Sequence, residues 1–102
     1  MRRVMVRYRV KPDQVAKNEA LVRAVYDELQ QKNPPGLRYA TFQLEDGVTF
    51  VHLASTETED GTSPLAGIGA FQEFQQDIKE RCDEAPHVTE LREIGSYRLL
   101  GD

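Results

Sequence analysis

The sequence predicts an α+β fold in which two helices cover one face of a four-stranded antiparallel sheet. Apolar residues alternate with a period of two in several segments, which is typical of strands, and recur at spacings of three and four in two others, which is typical of helices. The segments follow one another in the order strand, helix, strand, strand, helix, strand. With 102 residues and a hydrophobic content of 39%, the chain is expected to form a single domain over residues 1–102.

The first strand is predicted over residues 3–10 and the first helix over residues 15–32. The strand alternates apolar with mainly charged positions, and its apolar face is formed by Val4, Val6, Tyr8 and Val10. Pro12 and Asp13 open the helix, because proline suits a first turn and an acid there favours the positive end of the helix dipole. The apolar residues of the helix form one stripe that only Asn18 interrupts: Val15, Val22, Val25, Tyr26 and Leu29.

A β-hairpin is predicted to follow this helix. Two prolines and a glycine in residues 33–36 end the helix, since proline cannot continue it and glycine permits the reversal. The runs Leu37–Leu44 and Val48–Ser55 are rich in strand-forming residues and flank the dipeptide Asp46-Gly47, which favours a tight hairpin turn.

The second helix is predicted to begin after Ser63, which can cap it, with Pro64 in its first turn. Its apolar face is formed by residues at helical spacing: Phe71, Phe74, Ile78 and Cys82. Pro86 is expected to end this helix. A last extended segment is predicted over Val88–Leu100, with a bend near Gly95 because glycine within a strand pattern often marks a break.

This order of elements is that of the ferredoxin-like fold, βαββαβ. Right-handed crossovers place both helices on one face of the sheet, with the strands in the spatial order 4-1-3-2. The other face is then open, although strands two and three carry apolar residues on both sides. Strands of that kind are usually covered on both faces, so we expect a homodimer in which a second copy covers the open face.

The first strand is also strongly basic. Residues 1–11 carry five cationic side chains and no acid, whereas the rest of the chain has a net charge of −9. Arg7 and Arg9 alternate with the core residues and are expected to face the partner subunit, where acids must neutralise them because an unpaired buried charge is costly. The residues predicted at the dimer face are Arg7, Arg9, Phe50, His52, Glu90 and Glu93.

Composition argues against several classes of partner. The acidic remainder of the chain has no basic stripe with interleaved aromatic residues, so nucleic-acid binding is not expected. No apolar run resembles a membrane span or a signal peptide, so we expect no membrane partner and a cytoplasmic location. The single cysteine, Cys82, rules out an internal disulfide and any multi-cysteine metal site, and neither a metal nor a cofactor is expected.

Four stretches of the sequence carry a resemblance to a known family: Ser63-Pro64-Leu65-Ala66, Ala70-Phe71-Gln72-Glu73-Phe74, Arg81-Cys82 and Ile94-Gly95-Ser96-Tyr97. With the order of elements, they resemble the dimeric α+β barrel superfamily, and within it the antibiotic biosynthesis monooxygenase-like domains. The resemblance implies two sheets packed face to face and a small-molecule pocket between the sheet and the helices. On this basis, the pocket would be lined by Val6, Tyr8, Asn18, Tyr26, Phe71 and Phe74.

Members of that family with known activity include oxygenases that act on polyphenols without a metal or flavin, and haem-degrading enzymes. They use an Asn and a Trp in the pocket, together with a Tyr or a His, whereas here the first strand has no Asn and the chain has no Trp. We therefore expect a non-catalytic or small-ligand-binding dimer. The alternative is a cofactor-independent oxygenase in which Tyr8 or Tyr26 orients a small phenolic substrate. An open cavity between sheet and helices would favour the enzyme, and a space packed by aromatic rings would count against it.

Three polar residues on apolar faces have two interpretations each. His52 is interpreted as a satisfied core or interface histidine, and the alternative is a catalytic or haem-ligating one. Cys82 is interpreted as a packed thiol, and the alternative is a nucleophile. Asn18 is placed at the helix edge near solvent, and the alternative is that its amide points into the pocket.

Overall fold

The order of elements in the computed structural model, which describes residues 1–99, is strand, helix, two strands, two short helices and a final strand. The strands are β1 (Arg2–Val10), β2 (Leu37–Gln43), β3 (Thr49–Thr56) and β4 (Cys82–Leu91). The helices are α1 (Val15–Lys32), α2 (Gly69–Gln75) and α3 (Ile78–Arg81). Short 3-10 turns precede α1 at Pro12–Gln14 and α2 at Pro64–Gly67.

The four strands form one antiparallel sheet in the order β2-β3-β1-β4, which confirms the predicted topology. In this register Tyr8 lies opposite Phe50, and both Val6 and Thr41 lie opposite His52. Residues directly opposite one another in neighbouring strands project to the same face of a sheet. The even-numbered residues of β1 and β3 therefore share one face with the odd-numbered residues of β2.

The helices pack against that face and enclose the core. The predicted apolar stripe of α1 is confirmed, because Val22 and Val25 are buried and the other members of the stripe pack against the core. The buried apolar side chains are Tyr8, Val10, Val22, Val25, Phe50, Leu65, Ile68, Phe74 and Cys82. No helix within residues 1–99 is both long enough and apolar enough to cross a membrane.

The second half of the chain differs from the prediction at its helix and last strand. The helix α2 ends at Gln75, Asp77 adopts a left-handed conformation (φ 62°), and the single turn α3 leads directly into β4 at Cys82. The predictions that Pro86 ends the helix and that the last strand begins at Val88 are therefore wrong. The strand also ends earlier than predicted, at Leu91, and Leu100, the predicted end, lies outside the described residues.

A proline is tolerated within β4 because this strand is at the sheet edge and its pairing with β1 is irregular there. Arg7 lies opposite His87 and Arg9 opposite Glu84, so β4 has one more residue than β1 between these pairs. Such bulges and edge positions are where strands accept proline, since its missing N–H removes no ladder hydrogen bond.

An acid on α1 holds the beginning of α2. The Glu28 carboxylate accepts hydrogen bonds from the backbone N–H groups of Gly69 (3.1 Å) and Ala70 (2.9 Å), and from Lys32 Nζ at 2.7 Å. No side chain within α2 itself caps these groups. Hydrogen bonds from Lys32 and from the backbone of Ala70 and Gly69 hold the pKa of Glu28 below its ordinary value.

Replacement of Glu28 by Gln should lower the free energy of unfolding at neutral pH, because the charged acceptor for α2 is lost. A carboxylate whose pKa is lowered by folding stabilises the protein above its ordinary pKa of 4.5, and this contribution disappears as the pH falls through the folded-state pKa. Urea unfolding of Glu28→Gln and of the unmodified chain should therefore converge in acid. Glu19→Gln is the matched control, since within residues 1–99 Glu19 pairs only with Arg23, one turn along α1. A difference that persists unchanged in acid would contradict this role for Glu28.

Candidate functional site

A continuous chain of hydrogen-bonded polar side chains lies between the sheet and the helices. We call it the buried polar chain; it runs from Arg81 through Asn18 and Tyr8 to His52, where it branches to Tyr39 and to Thr41, and Thr41 bonds Tyr26. It begins in the interior at Arg81, where α3 meets β4, and ends at two tyrosines near the edge strand β2. Only three of its members, Tyr8, Asn18 and Tyr26, were among the predicted pocket residues.

The guanidinium of Arg81 is the interior end of this chain. Arg81 is 3% exposed and donates to the backbone carbonyls of Phe74 (2.7 Å) and Gln76 (3.0 Å), and to Asn18 Oδ1 at 3.4 Å. Its guanidinium carbon also lies 5.5 Å from the centroid of the Phe74 ring. No carboxylate within residues 1–99 forms an ion pair with it, so neutral oxygen atoms and an aromatic ring accommodate this buried cation.

The orientation of Asn18 follows from Arg81. A guanidinium can only donate, so the carbonyl oxygen of Asn18 faces Arg81 and its amide nitrogen faces Tyr8. Asn18 Nδ2 accordingly donates to the Tyr8 hydroxyl at 3.0 Å. Asn18 is completely buried, so the interpretation that placed it near solvent is wrong.

The same argument extends through Tyr8 to His52. The Tyr8 oxygen accepts from Asn18, and its proton then has one buried acceptor in reach, His52 Nε2 at 2.8 Å. Burial raises the pKa of Tyr8, so the hydroxyl keeps its proton and donates it. His52 Nε2 is therefore the unprotonated nitrogen of the ring.

His52 is a neutral imidazole with its proton on Nδ1. Burial lowers the pKa of His52 to about 4, so the ring carries one proton at neutral pH. Nδ1 lies 2.6 Å from the Tyr39 hydroxyl and 3.3 Å from Thr41 Oγ1, and it donates to the closer oxygen. Thr41 Oγ1 in turn bonds the Tyr26 hydroxyl at 2.7 Å.

Aromatic rings fill the space that the resemblance assigned to a pocket. Tyr8 is 1% exposed and stacks on Phe50 with ring centroids 5.6 Å apart. Phe74 is 4% exposed and packs against Tyr8, His52 and Phe71 at centroid distances of 6.1, 5.3 and 6.1 Å. The remaining predicted pocket residues, Val6, Tyr26 and Phe71, are half-buried around this cluster. Packing of this kind counts against a reaction chamber between sheet and helices.

The predicted dimer-face residues do not lie together. Phe50 and His52 are buried beneath the helices, because their register with Tyr8 and Val6 puts them on the covered face. The prediction that they lie at an interface between two sheets is therefore wrong, because both side chains project from the covered face of β3 and not from the open one. Arg7 and Arg9 are exposed.

Glu90 and Glu93 were predicted to neutralise Arg7 and Arg9, but they pair with other arginines. Arg9 pairs with Glu84 at 3.1 Å, while Glu90 pairs with Arg2 at 2.9 Å and Glu93 with Arg3 at 3.1 Å. Because most of these side chains are substantially exposed, each pair contributes little to stability.

A cavity lies where the buried polar chain reaches the surface, between the C-terminal half of α1 and the start of β2. We call it the rim cavity; its volume is about 220 Å³, and Tyr26, Leu29, Leu37 and Tyr39 form its inner wall. Tyr39 was missed from the sequence because β2 is apolar on both faces, so its pattern does not assign this residue to the covered face. Arg81 was missed because a basic residue at a helix end is usually exposed.

Cys82 is a buried free thiol at the start of β4, and burial raises its pKa, so it is a packed thiol in a strand rather than on the predicted helix. Within the part of the chain that the structure describes, no three His, Cys, Asp or Glu side chains are close enough together to hold a metal ion.

The fold and this interior define a class of protein: a ferredoxin-like α+β domain with helices on one face of its sheet. No family model matches the chain, and no curated protein matches it in sequence. Among solved structures, Rv0793 from Mycobacterium tuberculosis matches with a TM-score of 0.74 and 19% identity, over 93% of this chain and 96% of that protein. A protein described as an antibiotic biosynthesis monooxygenase matches with a TM-score of 0.74 and 15% identity, over 93% and 100%.

A conserved protein from Methanosarcina mazei Go1 matches similarly, with a TM-score of 0.72 and 18% identity over 90% of this chain and 91% of that protein. At such identities the similarity establishes the fold, and any chemistry must be argued from the residues of this chain. The chain has the fold of the antibiotic biosynthesis monooxygenase-like proteins, and this confirms the fold assignment made from the sequence.

The stability of the protein should fall between neutral and mildly acidic pH because of His52. The pKa of His52 lies near 4 in the folded state and near 6.5 in the unfolded state, so the unfolded chain binds the extra proton first as the pH falls. The free energy of unfolding should drop by about 1.4 kcal/mol per pH unit in this range, and by about 3 kcal/mol in total.

Urea unfolding at several pH values above 5 would measure this slope before most carboxylates titrate. His52→Gln should flatten the slope, and His87→Gln, which alters an exposed histidine, should leave it unchanged. A ¹⁵N spectrum of the ring should show a neutral imidazole protonated on Nδ1. Protonation on Nε2 would contradict the orientation derived from Arg81.

Proposed function

We propose that this protein is a non-catalytic homodimer that binds a small ligand, in the cytoplasm, where its single cysteine would remain a free thiol. The proposal that the protein is non-catalytic rests on the packed space between the sheet and the helices. There the rings of Tyr8 and Phe74 pack against one another and are almost completely buried. A substrate would have to displace these rings from the centre of the core. The binding role rests on the rim cavity, which remains open beside this packed interior.

The homodimer is argued from the uncovered face of the sheet. The register places a row of apolar side chains there: Met5, Ala40, Phe42, Val51, Leu53 and Leu91. Phe42 is 50% and Leu91 41% exposed, and a groove of about 850 Å³ runs between this face and the segment that follows β4. Exposed apolar surface of this extent on a sheet is typical of an interface, and a twofold axis allows one such face to cover another.

The homodimer predicts a specific effect of charge on the open face. Leu53→Lys should convert the dimer to a monomer, because a lysine from each protomer would be buried in the interface without a partner. Sedimentation velocity at micromolar concentration would measure the change, and circular dichroism would show that the fold is retained. Ala24→Lys, on the exposed side of α1, is the control and should remain dimeric. A monomeric unmodified chain at this concentration would contradict the proposal.

The open face also contains Arg7, an exposed arginine for which the structure shows no salt bridge within residues 1–99. Arg7→Ala should weaken the dimer more than it weakens the fold, since in the dimer this side chain would meet the partner subunit.

One observation favours a cofactor-independent oxygenase as a second candidate. Tyr26 and Tyr39 line the rim cavity, where they could orient a phenolic substrate beside the buried imidazole of His52. Against this, burial lowers the pKa of His52 and makes the ring a weak base.

Oxygen consumption with hydroquinone substrates separates the two candidates. The non-catalytic proposal expects no uptake above the uncatalysed rate, for the unmodified chain and for Tyr39→Phe alike. Steady uptake that is lost in Tyr39→Phe and retained in His87→Gln would overturn the proposal in favour of the enzyme.

A further inference from the structure

We infer that residues 92–99, which we call the post-β4 segment, pack in the homodimer along β2 of the partner subunit and fill the groove on its open face. The inference rests on the homodimer proposed above and adds which part of one copy completes the surface of the other. Three observations carry it: the exposed apolar side chains of the segment, the unfilled groove and the unprotected edge of β2.

The apolar side chains of the post-β4 segment are not covered by their own protomer. Ile94 is 82%, Tyr97 76% and Leu99 70% exposed, although all three line the groove. These fractions exceed those of Phe42 and Leu91 on the sheet itself. Single exposed apolar residues are ordinary, but three so close together in the chain form a patch that marks an interaction surface. The segment therefore has a face to bury, and nothing within residues 1–99 buries it.

The groove of about 850 Å³ remains open beneath this segment. Glu93 pairs with Arg3 at 3.1 Å and so holds the start of the segment beside β1, where the segment forms one wall of the groove without filling it. The sheet contributes a second arginine to the walls, Arg38, which pairs with Glu57 at 3.1 Å. Because both arginines already have acids, an anionic ligand gains little there. The groove suits apolar side chains instead.

The two edges of the sheet differ in their protection against a further chain. β4 carries Pro86 and pairs irregularly with β1, and both features keep an edge strand from accepting another strand. β2 is the other edge, and its seven residues contain no proline or glycine and pair regularly with β3. The residues of β2 that line the groove are Leu37, Arg38, Tyr39, Ala40 and Phe42. A chain that enters the groove therefore meets an edge strand that can accept it.

A second copy of the chain is the occupant that these features fit. The same chain has an apolar segment without a cover and a groove without a filling, so two copies related by a twofold axis satisfy both needs at once. The length is sufficient, because the residues after Glu93 span roughly 20 Å when extended, whereas two stacked sheets lie about 10 Å apart. With its start tied to Arg3, the segment can cross this distance and still lie along part of β2 of the partner subunit.

A spin label tests this placement directly. Ser96→Cys, which leaves the three apolar side chains in place, is labelled with a nitroxide and mixed with ¹⁵N-labelled unmodified chain until the dimers exchange. Cys82 is buried, so the label should attach at residue 96 alone, and a mass spectrum checks this. The amide signals of β2 in the ¹⁵N-labelled copy should broaden, because the nitroxide of the other copy lies beside them. The same label on Ala24→Cys, on the exposed side of α1, should leave these signals sharp.

Association should also depend on the apolar side chains of the segment. Ile94→Ser and Tyr97→Ser should each raise the dimer dissociation constant about tenfold, since each removes apolar surface that only the partner covers. The stability of the diluted monomer should not change, because both side chains are exposed in the protomer. Val88→Ser is the matched control: Val88 is 55% exposed, but it lies opposite Val6 and projects to the other face of the sheet. Sedimentation over a dilution series measures all three constants.

A dimer in which the nitroxide at residue 96 leaves β2 of the other copy unbroadened would overturn the inference. Broadening at β4 in place of β2 would do the same, as would a dissociation constant that Ile94→Ser and Tyr97→Ser leave unchanged. If the unmodified chain is dimeric and Leu53→Lys is not, any of these results leaves the proposed homodimer standing while this inference fails. A monomeric unmodified chain would contradict the proposed homodimer itself, and the inference with it.

Discussion

The buried guanidinium of Arg81 is the constraint on which the rest of the interior depends. A cation with no carboxylate partner is expensive to bury, and its donors must be satisfied by oxygen atoms in fixed places. Two of these oxygens are the backbone carbonyls of Phe74 and Gln76, at and just after the end of α2. Carbonyls at a helix end lack partners within the helix, so Arg81 supplies the donors that α2 needs in order to stop there.

The third oxygen, Asn18 Oδ1, transmits the orientation of Arg81 to the centre of the fold. From Arg81 to His52, each group of the buried polar chain has one arrangement that satisfies its donors and acceptors, and a buried donor left without an acceptor costs about 1–3 kcal/mol. The sheet and α1 are thereby joined by directional bonds in addition to apolar packing. The residues of this interior are closely packed, and the rim cavity lies beside Tyr26 and Tyr39.

The two faces of the sheet differ in the side chains that they present. The covered face holds the aromatic core and the polar chain, while the open face combines apolar side chains with Arg7 and Arg9. The salt bridges of the basic strand are too exposed to account for the stability of the fold. They keep Arg2, Arg3 and Arg9 near acids of the same chain, so the positive charge of the first strand is partly compensated within one protomer.

The sequence by itself determined the order of the elements, the topology of the sheet, the apolar stripe of α1 and the hairpin at Asp46-Gly47. Each of these follows from periodicity or from turn residues that are close together in the chain. Only the tertiary structure decided that Asn18 points inward, that His52 lies beneath the helices, that Pro86 belongs to an edge strand and that Arg81 is buried. The physical reason is that these features depend on contacts between distant residues. Arg81 and Asn18 are 63 positions apart and Tyr8 and His52 are 44 apart, so no local pattern contains the partner that gives each side chain its place.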